Sequence, residues 1–172
     1  PSVFAYTITD DATGGDCSIF GMWDSTSKTC TLTRDLTEGI TIQSSYVTLD
    51  GNGNSIIGTN PSDNWNTPNT TFGVFVDSRT NIILKNLEIS NFYHGIYLSS
   101  IVNTQIENNV IFDNLSAQIK LDSSNNNKIL NNVIPCGVGI VGIATYFGDG
   151  NSILGNTREY STSSIFVIGV EC

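Results

Sequence analysis

Two aspartates, Asp77 and Asp122, follow equivalent short apolar runs, and Ser99 stands at the same place between them. Paired carboxylates are the working parts of glycosidases, one protonating the leaving oxygen while the other activates water or attacks the sugar. If the three runs stack as neighbouring strands, both carboxyl groups project from one face about 10 Å apart, two inter-strand spacings. That lies near the upper edge of the roughly 6.5–9.5 Å used for inversion. Against catalysis, the intervening position is a serine, no basic cluster lies in register, and outward aspartates are ordinary solvated residues. His94 is the single histidine and lies beside Phe92 and Tyr93, the setting of a turn residue rather than a catalyst. No catalytic residue is assigned, and the chain reads as a non-enzyme.

Binding chemistry has other candidates. Asp50-Gly51-Asn52-Gly53-Asn54 has the oxygen-rich look of a calcium loop. It fails the EF-hand pattern, with Ser55 where glycine is required and Pro61 where the bidentate glutamate belongs. Asp10-Asp11 and Asp149 are similarly short acidic loops; no metal ligand and no cofactor is assigned, calcium being the one ion such loops would suit. Trp65, with Tyr93 and Tyr97, offers rings on which sugars stack their apolar faces, although a loop tryptophan also serves to pin its loop to the body. Trp23 lies between two cysteines and reads as core of a small cap.

The four cysteines are Cys17, Cys30, Cys136 and Cys172, with no CxxC pair of the kind that builds zinc or redox sites. Disulfides are the better reading. Of three pairings, Cys17 with Cys30 and Cys136 with Cys172 is favoured, because each closes a short loop near one end, and each bridge would stabilise by about 3 kcal/mol. Such bridges place the protein in an oxidising compartment, extracellular or at the cell surface. Asn69-Thr70-Thr71 and Asn114-Leu115-Ser116 fit the N-glycosylation acceptor pattern, in a chain already rich in Asn, Ser and Thr.

These residues sit in a chain of 172 residues with sixteen acidic and seven basic side chains, a formal charge of -9. Charged residues make up only 13%, against 39% hydrophobic and sixteen glycines, which excludes a coiled coil and an acidic disordered tail. The negative balance also argues against nucleic acid as a partner. The longest apolar stretch, Val138 to Ala144 with two glycines inside it, is far short of the ~18 residues of a transmembrane segment. The chain opens at Pro1 without a basic segment or signal core, so any export signal is expected to have been removed. The length suits one compact domain.

What must position the candidates is a repeat. Ile83-Leu84-Lys85-Asn86-Leu87, Ile106-Glu107-Asn108-Asn109-Val110 and Ile129-Leu130-Asn131-Asn132-Val133 follow one another by 23 residues, and Ile153-Leu154-Gly155-Asn156-Thr157 follows at 24. A second set, Val74 and Val76, Ile96 and Leu98, Ile119 and Leu121, then Ile143, advances by 22, 23 and 24. The runs are short, alternating and bounded by turn residues, the pattern of strands. Three strands in each ~23-residue return describe one coil of a parallel β-helix. The spacing predicts inward columns at Ile83, Ile106, Ile129 and Ile153 and at Leu87, Val110 and Val133. It also predicts an internal amide ladder of Asn86, Asn109, Asn132 and Asn156 at one turn.

Cys30-Thr31-Leu32-Thr33-Arg34-Asp35, then Gly39-Ile40-Thr41-Ile42 and Tyr46-Val47-Thr48-Leu49-Asp50-Gly51-Asn52-Gly53, resemble the opening coils of the right-handed parallel β-helix repeat superfamily, with its pectate-lyase-like fold. That superfamily includes pectate lyases, polygalacturonases, periplasmic copper-site accessory proteins and many surface proteins. The resemblance covers roughly residues 30 to 170 and implies fold more than activity. Its lyases use clustered aspartates with calcium and a basic residue; its hydrolases use an aspartate trio with histidine and Arg-Ile-Lys. Here His94-Gly95 is the one echo: Asn103-Thr104 is not followed by aspartate, and Arg-Ile-Lys is missing.

The expected architecture is therefore all-β, a single-stranded right-handed parallel β-helix of about six coils over residues 31–172. The 34-residue spacing from Leu49 to Ile83 implies a loop insertion near 59–71, which holds Pro61, Trp65 and Pro68. Residues 1–30 form an N-terminal strand and a disulfide-closed cap. Phe4, Tyr6 and Ile8 alternate like a strand that either covers the first coil or adds to a neighbouring molecule. The function expected from these signals is a self-associating subunit of a surface filament, sheath or layer, a homo-oligomer or homopolymer. The alternative is a carbohydrate-binding module or a degenerate polysaccharide lyase or hydrolase, with glycans as partners.

Overall fold

The computed structural model describes residues 6–59, 72–135 and 141–157 and the backbone of 167–169. The chain winds through three parallel sheets in turn. The first, sheet A, is ordered β1 (Tyr6–Ile8), β4 (Ile40–Ile42), β7 (Phe72–Asp77), β10 (His94–Ser99), β13 (Ala117–Asp122), β15 (Val141–Tyr146) and β17 (Val167–Gly169). Sheet B runs from β2 (Gly21–Asp24) through β3 (Thr29–Leu32), β5 (Thr48–Asp50), β8 (Ile83–Lys85), β11 (Gln105–Glu107) and β14 (Lys128–Leu130) to β16 (Ser152–Leu154). Sheet C holds β6 (Ser55–Ile57), β9 (Glu88–Ser90) and β12 (Val110–Phe112). It is continued by single bridges from Val110 to Val133 and from Val133 to Thr157. Five regular coils thus follow a first coil that the cap interrupts.

Inside the barrel, each sheet contributes columns of identical depth. Ile8, Ile42, Val76, Leu98 and Leu121 stack on sheet A. Cys30, Leu49, Leu84, Ile106 and Ile129 stack on sheet B. Leu36, Ile56, Ile89 and Ile111 stack on sheet C. All are at most 1% exposed, and each such side chain stabilises by about 1.5–3 kcal/mol relative to exposure.

One coil departs from the sequence expectation. Leu84, not Ile83, pairs with Ile106, while Ile83 pairs with Gln105 on the outer face. Val110 faces Glu88, so Leu87 belongs beside Asn109 instead of in a column with Val110 and Val133. The third coil is 22 residues long in every sheet; a constant 23 shifts it by one, and a one-residue slip turns every side chain to the other face.

The ladder moves with the register. Asn109, Asn132 and Asn156 form it at the B–C corner, but Asn86 does not belong to it. Asn109 Nδ2 donates to Asn132 Oδ1 at 2.9 Å, and Asn132 Nδ2 donates to Asn156 Oδ1 at 2.9 Å. Each carboxamide oxygen also accepts an inward-turned backbone N–H from the coil before, those of Leu87, Asn109 and Asn132. Those amides have left the strand ladder at the bend and must find an acceptor indoors. Asn86 instead sits in the left-handed column with Asn108, Asn131 and Gly155, at φ of 53°, 56°, 55° and 67°, and its amide reaches Asp50 Oδ1 at 3.0 Å.

A second ladder at the A–B corner was not expected: Asn127 Nδ2 donates to Asn151 Oδ1 at 3.0 Å, and Thr104 N donates to Asn127 Oδ1 at 2.8 Å. Its signal was available, an asparagine two residues before the inward isoleucine in Asn127-Lys128-Ile129 and Asn151-Ser152-Ile153. The C–A corner is closed by Asn114, whose amide bonds Gln118 Oε1 at 2.6 Å and whose oxygen accepts Phe92 N–H at 2.9 Å.

At the N-terminal end, β1 pairs in parallel with β4 of its own chain, Tyr6 with Ile40 and Ile8 with Ile42. Of the two expectations for Tyr6 and Ile8, this pairing is the one in which the strand covers the first coil; Phe4 lies outside the described residues. The outer edge of β1 is already occupied, because Thr7 N–H donates to Asp16 Oδ2 and Asp16 N–H donates to Thr7 O, both at 2.8 Å. Helix α1 (Cys17–Phe20) and antiparallel β2 close the remainder, and the Cys17–Cys30 disulfide ties α1 to β3 with a Cα–Cα separation of 5.9 Å. Cys136 and Cys172 lie outside the described residues, as does nearly all of the 59–71 insertion.

Candidate functional site

Sheet A differs from its neighbours in length: β7, β10, β13 and β15 are six residues long, while the strands of sheets B and C beside them have three. Longer parallel strands make a broad, regular outer face. Because alternate residues face outward, side chains far apart in sequence meet there in rows. One row runs Phe75, Tyr97, Lys120, Ala144, and the next Asp77, Ser99, Asp122, Tyr146.

The rings touch. Tyr97 lies 5.7 Å from Phe75 and 5.2 Å from Phe72 between centroids, and Phe72 stacks on Phe75 at 5.0 Å. Lys120 Nζ sits 4.9 Å above Tyr97 and 5.6 Å above Tyr146, a cation held over two π faces. Burial, then the neighbouring Asp122 that hydrogen-bonds it, and Asp77 beyond, push the Tyr97 hydroxyl above the usual tyrosine range. It is therefore a neutral hydrogen-bonding group.

His94 is 3% exposed and stacks on Phe72 at 6.0 Å with an interplanar angle of 9°, with Tyr93 edge-on at 4.7 Å. Burial first, and the positive Lys120 second, push its pKa down to about 4. Its Nδ1 is enclosed without a hydrogen-bond partner, so it is a neutral imidazole that a substrate cannot reach from that side.

The structure brings Tyr93 and Tyr97 to one cluster and sets Asp77 and Asp122 in one outward row, two coils apart, with Ser99 between. Phe72, Phe75, Lys120 and Tyr146 were missed, because only the coil register assembles them. Trp65 and Asn69 lie outside the described residues. Asn114 is corrected as a glycan acceptor: it is fully buried and its Nδ2 is spent on Gln118 and the Phe112 carbonyl, leaving no room for a sugar.

The acidic loops at Asp50 and at Asp10-Asp11 are also accounted for. Asp50 pairs with Lys85 at 3.2 Å and accepts from Asn52 N and Asn86 Nδ2. Asp10 pairs with Lys28, and the Asp11 carboxylate, held far below the usual range, closes a turn with Thr9, Thr13 and Gly15. Trp23 is half-buried and donates its indole N–H to Asp11 O at 3.0 Å.

Fold and face together define a parallel β-helix that presents an aromatic strip beside a polar rail on its broadest sheet. The family described as periplasmic copper-binding protein, NosD, matches residues 17–169, and the chain belongs to that family. No curated protein and no solved structure gives a significant match. Copper(I) favours thiolates and thioethers, and copper(II) imidazoles. Among the described residues such donors are His94 on sheet A, Met22 on β2, and Cys17 and Cys30, whose sulfurs are spent on each other. No group of three or more His, Cys, Asp or Glu that could hold an ion occurs among them. The residues described here do not fit a copper centre, and no step is derived through one.

Proposed function

We propose that this chain is a non-catalytic, extracytoplasmic binding protein that holds a saccharide chain against the outer face of sheet A. The observation that carries the reading is the contiguous strip of Phe72, Phe75 and Tyr97, joined through Lys120 to Tyr146, with Asp77, Ser99 and Asp122 alongside. Rings of this kind take the apolar faces of pyranoses, and carboxylates and hydroxyls take their O–H groups. The buried Cys17–Cys30 bridge and the periplasmic description of the family support the location. The enclosed, neutral His94 and the Tyr97 hydroxyl bonded to Asp122 support binding over hydrolysis.

Affinity electrophoresis through gels containing soluble polysaccharides tests the reading. At least one polysaccharide is expected to retard the chain, and Tyr97→Ala is expected to remove about 1–3 kcal/mol of that binding, roughly 5- to 150-fold. Mobility unchanged in every gel, or retardation indifferent to Tyr97→Ala, would overturn it.

Self-association into a surface filament or layer is the second reading. Its support is the apolar pair on the cap, Ile19 at 62% and Met22 at 63% exposed. Sedimentation of the unliganded chain as large species, abolished by Met22→Glu, would favour it instead.

A further inference from the structure

A hollow of about 240 Å³ lies at the A–B corner, lined by Asn103, Thr104 and Gln105 of one coil and by Asn126 and Lys128 of the next. We propose that it binds a small oxyanion, the carboxylate or sulfate group of a molecule of about monosaccharide size. The site is separate from the ring strip on sheet A and does not rest on that reading.

In a chain of formal charge -9, cations are expected to be neutralised at home. Lys28 pairs with Asp10, Lys85 with Asp50, and Lys120 lies over Tyr97 and Tyr146. Among the described lysines, Lys128 alone has neither a carboxylate nor a ring within range, and it is the one that lines the hollow.

The amides around it tell the same story. The inward-turned asparagines at these corners, Asn109, Asn132, Asn127 and Asn114, spend their carboxamides on hydrogen bonds within the barrel. The outward ones of the left-handed columns, Asn108 and Asn131 at the B–C corner and Asn103 and Asn126 here, are uncommitted among the described residues, and only the latter pair has a lysine in the same hollow. Asn103 and Asn126 stack in the left-handed column at φ of 58° and 56°. Their backbone N–H groups bond Asn125 O and Asp149 O, while their side chains have no hydrogen-bond partner among the described residues. The next residue in that column is Gly150, where a Cβ would stand only 2.3 Å from Asn126 Oδ1, so the glycine leaves room for that carboxamide.

Thr104 also lines the hollow, but its Oγ1 is enclosed and out of a ligand's reach, so the polar groups offered to a ligand are those of the outward residues. Gln105 reaches Glu107 at 3.3 Å, which draws the nearby carboxylate to its own amide. An ammonium with two uncommitted N–H₂ groups beside it, those of Asn103 and Asn126, matches an oxyanion, which accepts hydrogen bonds and donates none. The volume is below the 300–1,000 Å³ range typical of sites for larger ligands, which fits a small one.

The test is NMR titration of the full chain, following the side-chain amide signals of Asn103, Gln105 and Asn126, with sodium sulfate, sodium D-glucuronate and D-glucose as probes. Sulfate or glucuronate is expected to give saturable shifts that weaken with added salt, while glucose gives none. Saturation by glucuronate alone identifies a carboxylate site; saturation by sulfate as well identifies a general oxyanion site, and both support the proposal. Lys128→Gln, a surface change with no hydrogen bond to lose, is expected to weaken binding at least 10-fold; Asn126→Asp, which brings in a negative charge, is expected to abolish it. Absence of saturable shifts with either anion, equal shifts with glucose, or binding that survives Lys128→Gln would overturn it. Tyr97→Ala should leave these titrations unchanged, which separates the failure of this site from the failure of the ring strip.

Discussion

Asn132 occupies the middle of its ladder: its oxygen accepts from both the backbone N–H and the Nδ2 of Asn109, and its own Nδ2 donates to Ile106 O and Asn156 Oδ1. Removing that carboxamide strands buried donors and acceptors at once, and each costs roughly 1–3 kcal/mol. Asn132→Ala is therefore expected to lower stability by about 3–4 kcal/mol in urea denaturation. Asn86→Gly, which suits the positive φ and loses only the bond to Asp50, should cost under about 1 kcal/mol. Equal losses would contradict the observed register. His94 makes a second expectation at this scale. Unfolded, its imidazole takes a proton near pH 6.5, whereas in the fold it resists down to about 4. The unfolded state thus binds the extra proton in that window, and stability is full above pH 6.5 and falls as pH drops towards 4, by about 3 kcal/mol. His94→Phe keeps a ring against Phe72, so its melting temperature should lose less over the same window than that of the parent chain.

A parallel β-helix exposes a sheet edge at each end, and such an edge is a template for pairing with another chain. Here the β1 edge is blocked at Thr7 by a single residue, since the Asp16 carboxylate takes the N–H and the Asp16 backbone N–H takes the C=O that face away from β4. Asp16→Ala removes the carboxylate and is expected to cost about 1–2 kcal/mol. It should also turn a monodisperse sample into one whose mass by light scattering rises with concentration; an unchanged mass would mean that the edge is protected by other means. The same strand shows what sequence could and could not supply. Alternation at Phe4, Tyr6 and Ile8 identified a strand, but its partner depended on whether Asp16 folds back, which no periodicity encodes.

For the molecule as a whole, the three-sheet architecture was legible because apolar pairs return at nearly fixed spacing, and a closed coil is the fold that answers such a return. The slip in the third coil arose where two apolar residues, Ile83 and Leu84, are adjacent, so that pattern alone could not say which faces inward. The candidate face was less legible, because Phe75, Tyr97, Lys120 and Tyr146 meet only after register is known. His94, read alone, gave no hint of the rings around it. The register holds a further regularity. Val76 to Leu84, Leu98 to Ile106, Leu121 to Ile129 and Thr145 to Ile153 are each eight residues, and Leu84 to Ile89 and Ile106 to Ile111 are each five. The growth of successive coils from 22 to 23 to 24 residues therefore falls wholly on the return from sheet C to sheet A. The second coil is different, with Ile42 to Leu49 and Leu49 to Ile56 seven residues each; in genetic terms, from the third coil onward one rim of the protein lengthens codon by codon while everything that faces the core stays in frame.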